Sequence, residues 1–149
     1  MAMIPLPPDF SEFLRLLAEH NVRYLLVGGY AVAHHGYVRG TADIDLWVDQ
    51  SGDNPGRLIA AVREFGFASA DLAADDFRKD GQIIRMGVPP LRIELMTSVS
   101  GVSFEECYHQ RETVEWDGLQ VSLISLGMLK QNKRAAGRQN DLGDLDQLE

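Results

Sequence analysis

The chain has 149 residues, 45% hydrophobic and 24% charged, with a formal net charge of −8. That is ordinary globular composition for a single domain over 1–149, able to bury about two thirds of its unfolded surface. The acidity argues against duplex DNA and anionic membranes as partners, and the lone Cys107 excludes an intrachain disulfide and a cysteine-based metal site, which fits a reducing cytoplasm. No apolar run has the length of a membrane span, and the opening MAMIPLPPDF is too short and proline-rich for a signal peptide.

Residues 5–21 predict a first helix, with Asp9 as N-cap, Glu12 completing a capping box, and Phe10, Phe13, Leu14 and Leu17 as the apolar face. Residues 22–29 (VRYLLVGG) read as a buried strand ending at Gly28-Gly29, and residues 30–36 as a short helix stopped by Gly36. DIDLWVD, residues 43–49, alternates: Asp43, Asp45, Trp47 and Asp49 share one strand face. Residues 54–67 predict a second long helix, capped by Asn54, with Pro55 at its first position and Gly66 at its end. Residues 68–80 read as a polar loop. Two strands follow, GQIIRMG and LRIELM, then one or two helical turns in FEECYHQ. ETVEWDGLQVSLI is a hairpin signal, because Asp117-Gly118 suits a tight type I′ turn between two alternating runs. Ser125 can cap a helix running to about Arg138, and a last short helix carries Leu142, Leu145 and Leu148, which makes 125–149 a C-terminal helical segment. This order predicts an α/β (α+β) fold, a mixed sheet with helices packed mainly on one face.

The carboxylates carry the chemistry. Side chains two apart on a strand project from one face, about 6–7 Å apart at the backbone. Asp43 and Asp45 can therefore converge on one hard cation or bridge two. Glu94 is the one acid in a strand whose Leu91, Ile93 and Leu95 read as core, so a strand pairing beside Asp43–Asp45 would cluster three carboxylates that repel one another without metal. Gly28-Gly29 ends a strand and opens a helix, where backbone can approach a phosphate and helix N–H groups favour negative charge. Arg39 and Thr41, just before Asp43, add a phosphate contact and a hydroxyl.

The stretch GGYAVAHHGYVRGTADIDLWV closely resembles the Gly-Gly, Asp-x-Asp signature of the DNA polymerase β-like nucleotidyltransferase superfamily. Its form is similar to the small bacterial nucleotidyltransferases, whose relatives include abortive-infection toxins and aminoglycoside nucleotidyltransferases. The segment KQNKRAAGRQNDLGDL resembles their distal motif, a lysine helix followed by Asp-x-x-Asp, here Lys133, Arg138, Asp141 and Asp144. Two departures are Gly29, where many members have serine, and Asn140, where the toxin-like pattern often has lysine. The resemblance implies two-metal transfer of a nucleoside monophosphate from an NTP, by default ATP, to a hydroxyl. Asp43, Asp45 and Glu94 would hold two Mg²⁺ ions, Gly28 and Gly29 the triphosphate, and Lys133 the nucleotide phosphates, with Glu94 activating the acceptor hydroxyl. The acceptor stays open between a tRNA end, a protein hydroxyl and a small molecule. So does the alternative of a non-catalytic member of a toxin–antitoxin pair that binds a partner protein or a second copy of itself.

Other residues carry plainer readings. His34 and His35, adjacent on a helix, diverge by about 100° and are not expected to serve one site. Lys130, Lys133, Arg134 and Arg138 span one broad arc, either a solvated face or a phosphate contact. Asp141 reads as a helix cap or a functional acid, and Trp47 and Trp116 as packing aromatics.

Overall fold

The computed structural model describes residues 5–37, 43–67, 72–87 and 92–148. Arg39, expected to contact phosphate, and Thr41, expected to add a hydroxyl, lie outside the described residues. The elements run α1 (Pro8–Glu19), β1 (Tyr24–Val27), α2 (Gly28–His34), β2 (Asp43–Val48) and α3 (Asn54–Phe65). A 3₁₀ turn (Ala74–Arg78), β3 (Ile83–Met86), β4 (Arg92–Met96), α4 (Phe104–His109), β5 (Glu112–Trp116), β6 (Leu119–Leu123), α5 (Leu126–Ala136) and α6 (Gln139–Leu148) follow. Six strands form one mixed sheet in the order β3-β4-β2-β1-β6-β5. The pairs β1–β2, β3–β4 and β5–β6 are antiparallel, and β2–β4 and β1–β6 are parallel. Among the described residues no helix is long and apolar enough to cross a membrane.

All four residues of β1 are buried, so the middle of the sheet is covered on both faces, whereas β4 and β5 alternate in burial and β3 leaves Ile83 exposed at the edge. The expected face of α1 packs inward, with Phe10, Phe13, Leu14 and Leu17 buried. The Asp9–Glu12 capping box does not form. The helix starts at Pro8, whose fixed φ suits a first turn and whose missing N–H would be unpaired there anyway, and Glu12 pairs with Arg15 instead. Asn54 is also not a cap. It is buried inside the first turn of α3, where Oδ1 accepts from the Arg23 amide at 2.7 Å and Nδ2 donates to the carbonyls of Arg23 and Asp49 at 3.0 and 2.7 Å. One side chain thus clasps the entry of β1 to the exit of β2. The region expected to be a polar loop contains the 3₁₀ turn that buries Phe77 completely, a lone apolar residue without a period to reveal it.

The C-terminal half follows the sequence more closely. Asp117 and Gly118 both take positive φ, 49° and 81°, as a type I′ turn requires. The Ser125 side chain accepts from the Met128 amide at the start of α5, and Gly137, left-handed at φ 65°, ends that helix one residue before Arg138. On α6 Leu145 packs inward but Leu142 is exposed, because Asp141 and Asp144 take the inward positions.

Candidate active site

The antiparallel register sets Val27 opposite Asp45, so Gly28, the next residue, sits directly against the Asp45 side chain. Gly28 has φ +69°, and a Cβ built there would lie 2.0 Å from Asp45 Oδ2. Both the backbone conformation and the contact require glycine. Gly29 is buried as the second residue of α2.

The parallel pairing of β2 with β4 places Asp45 beside Glu94 and Asp43 beside Arg92. Asp45 and Glu94 share a hydrogen bond, and the Asp45 carboxyl is pushed up to about 7, first by burial, then by the charge of Glu94 and of Asp43, with Lys133 opposing. The other two acids are engaged by arginines. Asp43 Oδ2 accepts from Arg92 at 3.1 Å, and Glu94 Oε1 accepts from Arg85 at 3.0 Å with Arg92 at 3.8 Å. Among the described residues, Asp43, Asp45 and Glu94 do not bring one oxygen each within 4.8 Å of one another, whereas His34, His35 and Glu112 do bring their ligating atoms that close. The two histidines therefore converge, contrary to the expectation from their spacing. The 100° divergence describes helix directions at the backbone, and two long side chains at a helix end can turn back toward one neighbour.

Lys133 is buried. Its Nζ donates to Asp141 Oδ1 at 3.0 Å and meets Asp144 Oδ2 at 3.2 Å, both aspartates being only 3% exposed. Arg138 reaches Asp141 Oδ2 at 2.7 Å from a solvated position. Burial pushes the Asp141 carboxyl up, but hydrogen bonds from Arg138 and Lys133 outweigh it and hold the group below its ordinary range. The basic arc of the sequence is therefore divided: Lys133 points inward, while Arg134 and Arg138 are exposed and Lys130 is half-buried. Neither aspartate caps α6 in any described contact. Their Asp-x-x-Asp spacing puts both acids on one helix face, where they share Lys133 as a partner.

Gly28, Asp45, Lys133 and Arg138 stand between two neighbouring cavities. One, of about 480 Å³, is walled by Glu94, Arg85, Ile83, Met96, Ser98, Ser100 and Asn132. The other, of about 220 Å³, is walled by Gly29, Asn140, Asp141 and Asp144. Sequence reasoning did not anticipate Arg85, Ser98, Ser100 or Asn132. They come from an edge strand, a loop and a helix flank, and carry no motif.

A glycine-led helix joining two antiparallel strands, with the second strand's aspartates parallel to a third acid-bearing strand, defines a nucleotidyltransferase-like fold. No protein-family model and no curated protein sequence matches the chain. Solved structures do. A Thermotoga maritima protein whose assignment as a nucleotidyltransferase is provisional superposes with a TM-score of 0.67 at 15% identity, covering 97% of this chain and 94% of its own. The lincosamide antibiotic adenylyltransferase LnuA, bound to lincomycin, gives 0.60 at 13% identity over 97% and 96%. The enzyme ANT(2″)-Ia, in complex with adenylyl-2″-tobramycin, gives 0.57 at 14% identity over 93% and 84%. At these identities the likeness establishes the fold, as the sequence resemblance implied.

Proposed function

We propose that the protein is a magnesium-dependent nucleotidyltransferase that moves a nucleoside monophosphate from an NTP, ATP by default, to a hydroxyl on a small-molecule acceptor. The observation that carries this reading is the Gly28 backbone pressed against Asp45, with Glu94 hydrogen-bonded beside it, on the floor shared by two cavities. The donor set fits a hard cation. It is all carboxylate oxygen, and an acid pushed up first by burial and then by the charge of neighbouring carboxylates marks a place where positive charge is favoured. Asp45 and Glu94 would hold the ion, with Asp43 joining after release from Arg92, whose side chain is about a third exposed and can swing away. When bound, magnesium neutralises phosphate charge and stabilises the leaving pyrophosphate.

The chain's own residues supply the rest. Gly28 and Gly29 let the triphosphate lie close to backbone. Lys133, fixed by Asp141 and Asp144, holds a positive charge at the wall between the cavities without reorganisation. The larger cavity, with apolar Ile83 and Met96 beside hydroxyls and amides, suits a molecule of mixed polarity, and the two antibiotic-bound neighbours support a small-molecule acceptor over a macromolecular one. Glu94 faces that cavity and would take the acceptor's proton.

The test incubates the protein with Mg²⁺, each α-labelled NTP and a panel of hydroxyl acceptors that includes aminoglycosides, lincosamides and tRNA. The expected result is label transfer to a small-molecule acceptor, abolished by Asp45→Asn. Absence of Mg²⁺-dependent NTP binding by the wild-type chain would overturn the proposal.

A further inference from the structure

His34 closes α2 and His35 is its C-cap residue. Their rings stand edge to face, 5.2 Å apart at the centroids, and both turn toward the β5–β6 hairpin. The His34 ring lies 6.2 Å from that of Trp116. His35 Nε2 lies 2.8 Å from the Ile124 carbonyl oxygen and 3.6 Å from Glu112 Oε2. One ligating atom from each of His34, His35 and Glu112 falls within 4.8 Å of the other two. His34 Nδ1 is buried and has no hydrogen-bond partner among the described residues.

We propose that His34, His35 and Glu112 form a binding site for a divalent transition-metal ion of the zinc class, tying the C-terminal end of α2 to β5. Two imidazoles and one carboxylate are a borderline donor set that suits zinc and, as surrogates, cobalt or nickel, while magnesium prefers oxygen alone. Bonds of about 2.0–2.2 Å to a tetrahedral ion need ligand atoms roughly 3.5 Å apart. Side-chain rotation can close the present spacing, because the Glu112 side chain is 43% exposed and free to swing. Because a carbonyl only accepts, His35 Nε2 carries its proton toward Ile124, which fixes the ring and leaves Nδ1 as the nitrogen to ligate, the arrangement common behind a metal-bound histidine. His34 Nδ1 is committed to no group among the described residues, and a buried nitrogen of that kind calls for a partner. Three protein ligands leave a fourth position for water. The trio shares no residue with the carboxylate site, so this inference does not rest on nucleotidyl transfer.

The test is calorimetric titration of the metal-free protein with Zn²⁺, and with Co²⁺ read by its visible absorption. Wild type and an Asp45→Asn/Glu94→Gln double variant, which silences the carboxylates, are both expected to take up one ion per chain with a raised thermal midpoint, undisturbed by millimolar Mg²⁺. Glu112→Gln and His34→Ala should each weaken uptake at least tenfold. If His34→Ala does not fold, the half-exposed Glu112→Gln decides. No uptake at micromolar Zn²⁺, uptake unchanged by Glu112→Gln, or uptake lost with the double carboxylate variant overturns the site. None of these outcomes alters the Mg²⁺-dependent transfer assay, which stands or falls separately.

Discussion

Gly28→Ala is the sharpest test of the site's construction. The new Cβ would meet Asp45 Oδ2 at 2.0 Å, Cγ at 2.8 Å and Cβ at 2.9 Å, where ordinary contact begins at 3.4 Å. Something must therefore yield by more than 1 Å, and both partners are held by the β1–β2 register. The left-handed conformation costs a non-glycine residue about 1–2 kcal/mol. Forcing a methyl into a filled space adds about 1–3 kcal/mol. The expected destabilisation is about 2–5 kcal/mol by chemical denaturation. A displacement of about 1 Å at a reacting group costs on the order of 10²-fold in rate, so transfer activity should fall at least that far under conditions where the variant remains folded. Gly143→Ala is the control. Nothing lies within 4 Å of its Cβ, it sits inside α6, and it should gain about 0.5–1 kcal/mol. A Gly28→Ala protein with wild-type stability and activity would refute the close approach and the cradle together.

Asp45→Asn should change the pH dependence of stability. Its folded carboxyl titrates near 7, raised from 3.8, so its favourable contribution is complete below about pH 4 and is lost as pH rises through 7. Without metal, the Asn variant should gain on wild type by up to about 4 kcal/mol between pH 4 and 8, and saturating Mg²⁺ should restabilise wild type alone; parallel stability–pH curves for the two proteins would contradict this. Lys133→Met strands two buried carboxylates and should cost about 3–5 kcal/mol, with much of the loss recovered in Lys133→Met/Asp141→Leu/Asp144→Leu, as measured by urea unfolding. In the assay, Lys133→Met should also raise KM for the nucleotide. Asn54→Ala removes the three hydrogen bonds that tie the start of α3 to Arg23 and Asp49, at the entry of β1 and the exit of β2, and should cost about 2–4 kcal/mol, lowering the thermal midpoint while leaving the Mg²⁺ requirement unchanged.

The sheet and its acid-bearing strands were legible because burial imposes alternation, and alternation survives in DIDLWV and RIELM as written. The neighbourhood of Asp45 and Glu94 was foreseen only conditionally, since nothing local states which strands pair. Side-chain partners were least legible. The spacing of Asp9 to Glu12 and the place of Asn54 before Pro55 both suggest caps, yet one lost its place to Pro8 and the other found better partners in Arg23 and Asp49. Lys133 was singled out from its arc, but its burial between two aspartates depends on how α6 folds back on α5. The convergence of His34 and His35 depends on a hairpin about eighty residues further along the chain, which helix geometry cannot anticipate.

The parallel pairing of β1 with β6, in register at Leu26 and Leu123, has a kinetic meaning. The glycine cradle and the acids belong to a segment whose pairings, β1 with β2, β2 with β4 and β3 with β4, all close within residues 24–96. Lys133 arrives with the hairpin and helices beyond, across a join of far greater sequence separation, the kind that closes slowly. During refolding, hydrogen exchange should find the carboxylate half protected before the lysine half, so the floor of the cleft exists before its wall.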